Sequence, residues 1–462
     1  MKGSIYKALQ RITNRGDYTR FHMPGHKGRS KDDLFSYEYD FTEIPGTDNL
    51  NSPEGPIKEA MGEIANIYGV KKSFILVNGS TVGILASILS ICNKGDSFLI
   101  PRNSHKSVYS ALMLKEINPV YLYNDDANES YPMVNAEQVE KAFIKHPHLK
   151  GVIITSPTYH GICLDVKSIS KVTNTYNKVL IVDEAHGAHL KFNEKFPTSS
   201  VDLGADIVVQ STHKTLNSLN QGALLHVCSS RISTNVIKNY INILQTTSPS
   251  YPIMMSIENS VLDARDRGRE RLNQLLYYYN RIEKELNNTP FYLKGSELLS
   301  SGQVFDYDKL KIWIESPKVS GVYLSHILRK KYSIQMEMWD YNGVLAMMGM
   351  GTEEGDVERL VYALKDCSHL IGEQYVQKKN IYSYPITKKC INPWEAINRN
   401  KEEVLLMESV GRICAEFIIP YPPGIPVLVP GEKIDKNTLL FLRNWEDSDI
   451  MGLNEKKIQV IK

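Results

Sequence analysis

Short apolar runs that end in polar residues recur through the first half of the chain. "SFILV", "SFLIP", "GVIITSP", "KVLIVDE", "ADIVVQS" and "GALLHV" lack the apolar–polar alternation of half-exposed strands and read as strands buried on both faces. Stretches with helical spacing separate most of them, from about residue 57 to residue 227. Strands separated by helices predict an α/β fold with a mainly parallel sheet covered on both sides. The pattern changes after about residue 300, where "LKIWIES", the helix-like "SGVYLSHILRKKY", "IQMEMW", "GVLAMMGM" and "EEGDVERLVYALKDC" predict a small α+β unit. A last section, from about Pro385, holds "NPWEAI" and the loop "PYPPGIPVLVPGE". At the other end, "MKGSIYKALQRITNRGDYTRF" reads as an amphipathic helix followed by a loop. The expected division is an arm with loops over 1–56, a large domain over 57–300, a small α+β domain over 301–384 and a C-terminal domain over 385–462.

Residues 22–56 show little periodicity and are rich in Pro, Gly, His and Asp: "HMPGHKGRS", then "DFTEIPGTDNLNSPEGP". They are too apolar and aromatic for a disordered tail, and long ordered loops are usually functional.

Composition narrows the function classes. A chain of 462 residues with 42% hydrophobic and 23% charged residues is an ordinary globular protein of two or three domains. A net charge of +2 argues against an electrostatic binder of nucleic acid or membrane surfaces. The longest apolar run, "VGILASILSIC", is too short to span a bilayer, and the N-terminus has no apolar signal region, so a cytoplasmic protein is expected. The six cysteines form no C-x-x-C pair and lie mostly in apolar runs, which predicts buried thiols in a reducing compartment.

The stretch "VVQSTHKTLNSLNQGALLHV" sets Lys214 in a polar turn between two predicted strands. A lysine held away from water loses proton affinity, which an amine needs before it attacks a carbonyl. Ligands in open α/β sheets sit at the carboxyl ends of the strands, and further candidates fall there in order. Asn78-Gly79-Ser80-Thr81 runs from a strand into a helix, and its hydroxyls and free N–H groups suit a phosphate. His105 lies just beyond the next strand, and Asp183 ends the apolar "KVLIV". An acid there needs a cationic or N–H partner to stay charged. A lysine for covalent attachment, an acid for a pyridine nitrogen, a phosphate cup and a planar side chain over a ring form the set that pyridoxal 5'-phosphate requires. Two other readings fail. "DEAH" also occurs in nucleotide-driven helicases, but the dipeptide Gly-Lys of a phosphate loop occurs nowhere. His186 and His189 are spaced to share a metal, but no H-E-x-x-H or acid-rich cluster supplies a third ligand, so no metal is expected.

With these residues assembled, the chain resembles the ornithine/lysine/arginine decarboxylase family of fold-type-I pyridoxal phosphate enzymes. The likeness runs from "FHMPGHKGR" to "PYPPGIPVLVPGE" and rests on "TEIPGTDNL", "NGST", "NSHKS", "SPTYHG", "VDEAHGAH", "STHKTLNSLNQG", "TTSPSYP" and "YPPGIP" in order. It implies that Lys214 is the cofactor-attachment lysine, Asp183 the partner of the pyridine nitrogen and His105 the histidine stacked on the ring. Ser80 and Thr81 match the phosphate cup, with Ser211 and His213 contributing, and His186 matches a position beside the ring. Thr247 and Ser248 resemble a segment near the cofactor at a subunit interface, which implies a homodimer with shared sites. The implied reaction is decarboxylation of arginine, lysine or ornithine, for polyamine synthesis; the alternative is an aminotransferase on the same scaffold. The chain begins at the catalytic part, without the response-regulator-like domain of the large acid-induced members, and so resembles the shorter biosynthetic branch.

Overall fold

The computed structural model describes residues 2–14, 37–123, 133–371, 385–420, 424–443 and 450–462. The loop "HMPGHKGRS" and Tyr421-Pro422-Pro423 lie outside them. Seven strands form the central sheet: β1 (Lys72–Leu76), β2 (Ser97–Pro101), β3 (Asn118–Leu122), β4 (Gly151–Thr155), β5 (Val179–Asp183), β6 (Ile207–Gln210) and β7 (Ala223–Val227). Their spatial order is β1-β7-β6-β5-β4-β2-β3, and β7 alone runs against its neighbours. The strands are apolar throughout because both faces are covered. Ile153, Ile181, Ile207 and Val209 pack on one face, and Val152, Leu180, Val182 and Val208 on the other. Asp183 and Ser211 share the parity of Ile181 and Val209, while Glu184 and Gln210 fall on the opposite face.

Helices α1 (Ser4–Thr13), α2 (Pro56–Tyr68), α3 (Gly79–Ile91) and α4 (Lys106–Leu114) precede α5 (Ala136–Lys145), α6 (Val166–Thr175) and α7 (Thr234–Leu244). The run "VGILASILSIC" belongs to α3, which is buried nearly all round. Gly83 lets α3 approach β6, since a Cβ there would lie 2.7 Å from Val209 Cγ1. The loop "TEIPGTDNL" is ordered and caps α2. The Asp48 carboxylate accepts backbone N–H groups of Glu54, Gly55 and Ile57, and the Tyr251 hydroxyl donates to the Asp48 carbonyl at 2.6 Å.

The 35-residue helix α8 (Tyr251–Glu285), about 52 Å long, leads from the central sheet to a second sheet. That sheet holds β8 (Tyr292–Leu293), β9 (Lys311–Glu315), β10 (Met338–Trp339) and β11 (Gly343–Met347), with α9 (Gly321–Tyr332) and α10 (Glu354–Ile371). "IQMEMW" forms a strand only over its last two residues. Short antiparallel pairs make up the C-terminal part, including Lys401–Leu405 with Lys457–Ile461. Arg102, one residue past β2, fastens this part to the central sheet. Its guanidinium donates to both Glu432 carboxylate oxygens at 2.7 Å and to the carbonyls of Pro426 (2.8 Å) and Val427 (3.0 Å). The cysteines are all free thiols, but only four are buried; Cys228 is half-buried and Cys390 exposed, because "KKCIN" lies on a short peripheral strand pair.

Candidate active site

The parallel strands β2, β5 and β6 deliver His105, Asp183 and Lys214 to one end of the sheet. Lys214 lies in a single helical turn, Thr212–Thr215, on the connection between β6 and the antiparallel β7. Backbone bonds tie that turn to its neighbours: Thr212 N–H donates to the Gly222 carbonyl (3.1 Å) and Ser211 N–H to that of Ala185 (3.3 Å). The half-buried Lys214 loses proton affinity through burial, and Asp183 and Glu337 act in the opposite sense. Asp183 is 5% exposed and accepts the Ala185 N–H at 3.1 Å. Burial raises its pKa, while Lys214 and that N–H pull it back.

His105 caps α4: its Nδ1 accepts the Ser107 N–H at 3.2 Å and lies 2.9 Å from the Ser107 hydroxyl. Burial, then the charges of Lys214 and Lys106, push its pKa down to about 4, so the ring is neutral above that pH. The bond fixes Nδ1 as the acceptor and leaves the proton on Nε2. His213 Nδ1–H donates to the Gly222 carbonyl at 2.8 Å.

Ser80 and Thr81 stand in the first turn of α3, half-buried and exposed respectively, and that helix begins without a side-chain cap. Gly79, at φ +78°, donates its N–H to the Gln221 carbonyl (2.9 Å), which brings the α3 terminus against the connection carrying Lys214. Thr247 and Ser248 are exposed, and the adjacent Thr246 N–H donates to Asn78 Oδ1 at 3.2 Å. The Ser211 hydroxyl is buried without a hydrogen-bond partner. An orphaned hydroxyl and uncapped helical amides beside a half-buried lysine fit the oxygens of a phosphate-bearing aldehyde such as pyridoxal phosphate.

The spacing of His186 and His189 brings them to different partners. His189 Nε2 meets Asp308 Oδ1 at 3.1 Å, whereas His186 lies between two lysines. Among the described residues no three His, Cys, Asp or Glu converge on a metal position. His186 Nε2 is 3.0 Å from Lys214 Nζ and its Nδ1 is 3.1 Å from Lys311 Nζ. Burial first, then Lys311 and Lys214, hold its pKa well below the ordinary imidazole range.

Lys311 and Glu337 were not readable as site residues. Lys311 opens β9, where a lysine ordinarily points to solvent, yet it is wholly buried and burial pushes its pKa down to about 8. Gly161, at φ +98°, covers its stem: a Cβ there would lie 2.7 Å from Lys311 Cγ. Glu337 precedes β10, is exposed, receives the Tyr159 hydroxyl and acts electrostatically on both Lys214 and Lys311. Beneath Asp183, the buried Glu184 carboxylate accepts from the Ser199 hydroxyl, the Ser200 N–H and Gln210 Nε2, each at 2.6 Å. Gln210 Oε1 continues to His226 Nε2 (3.2 Å), and His226 Nδ1 to the Ser73 hydroxyl (2.8 Å).

Residues 4–316 match the family model of the Orn/Lys/Arg decarboxylase major domain, and residues 377–451 match that of its C-terminal domain. An arginine decarboxylase of Bacillus subtilis is 32% identical over 476 residues, covering 99% of this chain and 97% of that one. The B. subtilis protein YaaO, described as uncharacterized, is 37% identical over 459 residues, covering 95% and 93%. In structure, the Francisella novicida lysine decarboxylase LdcF superposes with a TM-score of 0.83 at 20% identity, covering 100% of this chain and 81% of that one. A ureidoglycine–glyoxylate aminotransferase of B. subtilis gives a TM-score of 0.57 at 15% identity, over 70% of this chain and 86% of that one. The architecture is that of the fold-type-I pyridoxal phosphate enzymes. With both models matched in order along one chain, the protein belongs to the Orn/Lys/Arg decarboxylase family.

Proposed function

We propose that Lys214 holds pyridoxal phosphate and that the protein removes the carboxyl group of a basic amino acid, arginine first among them. The observation that carries this reading is the meeting of Lys214, Asp183 and His105 at one end of the sheet, where the Lys214 charge acts on both His105 and Asp183 and Asp183 acts on Lys214. Arginine is put first because a named relative at 32% identity over nearly the full length is an arginine decarboxylase. Family membership favours decarboxylation over amino-group transfer, which the shared fold alone leaves open.

When bound, the cofactor supplies the sink for the electron pair left as carbon dioxide departs. The chain's own groups prepare for this. Lys214 would hold the cofactor at its aldehyde carbon, a role that burial favours by keeping the amine free of its proton. Asp183 keeps a proton on the ring nitrogen by charge pairing in a dry setting. His105, neutral and locked by its cap, offers a flat face to the ring. Ser80, Thr81 and Ser211 would receive the phosphate, and Ser211 would thereby gain the partner it lacks; His213, whose Nδ1–H is given to the Gly222 carbonyl, would contribute through Nε2 when protonated. Glu337, at the mouth, is the carboxylate suited to a guanidinium or ammonium on the substrate. Two copies of the chain would complete each other's sites through Thr247 and Ser248.

The test is to supply the purified protein and cofactor with arginine, lysine or ornithine labelled at the carboxyl carbon. Labelled carbon dioxide should come off one of them, and borohydride should fix the cofactor on Lys214. Release from none, or a reduced adduct on another lysine, would refute the proposal.

A further inference from the structure

We propose that Lys311 is a positioning residue for the proton on Lys214, acting through the imidazole of His186 that lies between the two amines. This deepens the reading above, since it rests on Lys214 being the attacking amine.

The argument is a count of protons. A neutral imidazole carries one N–H and one lone pair, whereas an ammonium only donates. Lys214 and Lys311 each touch a different ring nitrogen, at 3.0 and 3.1 Å. With His186 neutral, one lysine can donate to the ring as an ammonium. The other must accept the ring N–H through its own lone pair and is therefore a free amine. A protonated ring would hold two N–H groups and could meet both amines only if both were free, a state that burial of the ring and the two neighbouring amines oppose. The trio thus carries one positive charge where two lysines in water would carry two.

Every charged group around the trio is consistent with such sharing. Lys214 faces Asp183 and Glu337; Lys311 faces Asp308, Glu337 and the Cys163 thiol. His105 and His213 also face the ring, and burial lowers the proton affinity of both. Asp308 is held low by His189 against the cost of burial. The exchange balances: Lys214 gives a proton to Nε2, Nδ1 passes its own to Lys311, and the ring ends as the other tautomer. Lys214 then stands as a nucleophile with no proton lost to water.

The test reads Lys214 directly in the full-length protein freed of cofactor. Acetic anhydride labelling across pH, with the Lys214 peptide quantified by mass, gives the midpoint at which this amine becomes free. Lys311→Met fills the space without charge and should raise that midpoint by about one unit, roughly tenfold less free amine at a pH below it. Lys311→Gln should do the same, so the test survives if one variant folds poorly. In a His186→Phe background, Lys311→Met should move the midpoint no further. An unchanged midpoint in the Lys311 variants overturns the proposal, and a shift of equal size without His186 overturns the role of the ring. If borohydride fixes the cofactor elsewhere while these midpoints behave as stated, the cofactor reading fails and the proton coupling stands.

Discussion

Replacing Arg102 by methionine removes the cation of a deeply buried ion pair and loosens the segment that ends in His105. Arg102 is 6% exposed and the Glu432 side chain fully buried, with two guanidinium–carboxylate bonds of 2.7 Å between them. Removing one partner of a buried pair costs about 3–5 kcal/mol, because the other charge stays buried without compensation. The carbonyls of Pro426 and Val427 lose their donors as well, while Glu432 retains the Val429 N–H at 2.8 Å. Adding Glu432→Gln takes away the stranded charge, so the double variant should recover on the order of 1–3 kcal/mol relative to Arg102→Met. Urea denaturation of the four proteins, followed by circular dichroism and fluorescence, measures this cycle. Cofactor affinity should fall with Arg102→Met, since Lys106 N–H bonds the Gly424 carbonyl (3.2 Å) right beside His105. If the two single losses simply add in the double variant, the pair is not a coupled clamp and the reasoning fails.

Other outcomes follow from the same structure. Ser80→Ala with Thr81→Ala should weaken cofactor affinity by about a hundredfold, two bonds to a charged group at about 1.5 kcal/mol each, with turnover at saturating cofactor much less affected; unchanged affinity would move the phosphate elsewhere. Lys214→Ala and a variant damaged at Thr247 and Ser248 should each be inactive, and refolding them together should restore part of the activity if two copies share a site; no recovery in proven hybrid dimers would confine each site to one chain. Burial pushes the Glu184 carboxyl up to about 7 from 4.5, against the hydrogen bonds that lower it. Between those values the folded chain keeps a proton that the unfolded chain gives up, so this group's contribution to stability falls as pH rises through that window, by about 3 kcal/mol in all. Urea midpoints at pH 5 and pH 8 for the wild type and Glu184→Gln should therefore diverge, and parallel behaviour would show that Glu184 does not carry the dependence.

The parts of this site readable in the sequence are those where an apolar run stops. Asp183 and the turn holding Lys214 each follow a buried strand, and the strand pattern alone sets them at the same end of the sheet. What escaped depends on contacts between distant segments. Arg102 and Glu432 are 330 residues apart, and nothing near either one marks it as paired. Lys311 resembles a solvated strand end because its burial is imposed by Gly161 and by His186, both far away in the chain. Strand β3 does not read as a buried strand because Pro119 sits within it; the proline is tolerated because β3 lies at the sheet edge. Asp183 stands out because it ends an apolar strand, whereas the neighbouring Glu184 gives no local sign of its three donors.

The string Glu184–Gln210–His226–Ser73 crosses four adjacent strands or their ends. Side chains alternate along a strand, so a slip of one residue would turn Gln210 or His226 to the other face and leave buried polar atoms unsatisfied, at about 1–3 kcal/mol each. Apolar strands buried on both faces tolerate such a slip, because either face accepts valine or leucine. The string therefore acts as a gauge of alignment where hydrophobicity cannot. Its most consequential joint is between β6 and β7, where Val208 stands opposite His226. The segment joining those strands carries Lys214, and a shift of β7 by one position would lengthen or shorten its span. The placing of one reactive nitrogen is thereby referred to polar atoms on the far side of the sheet.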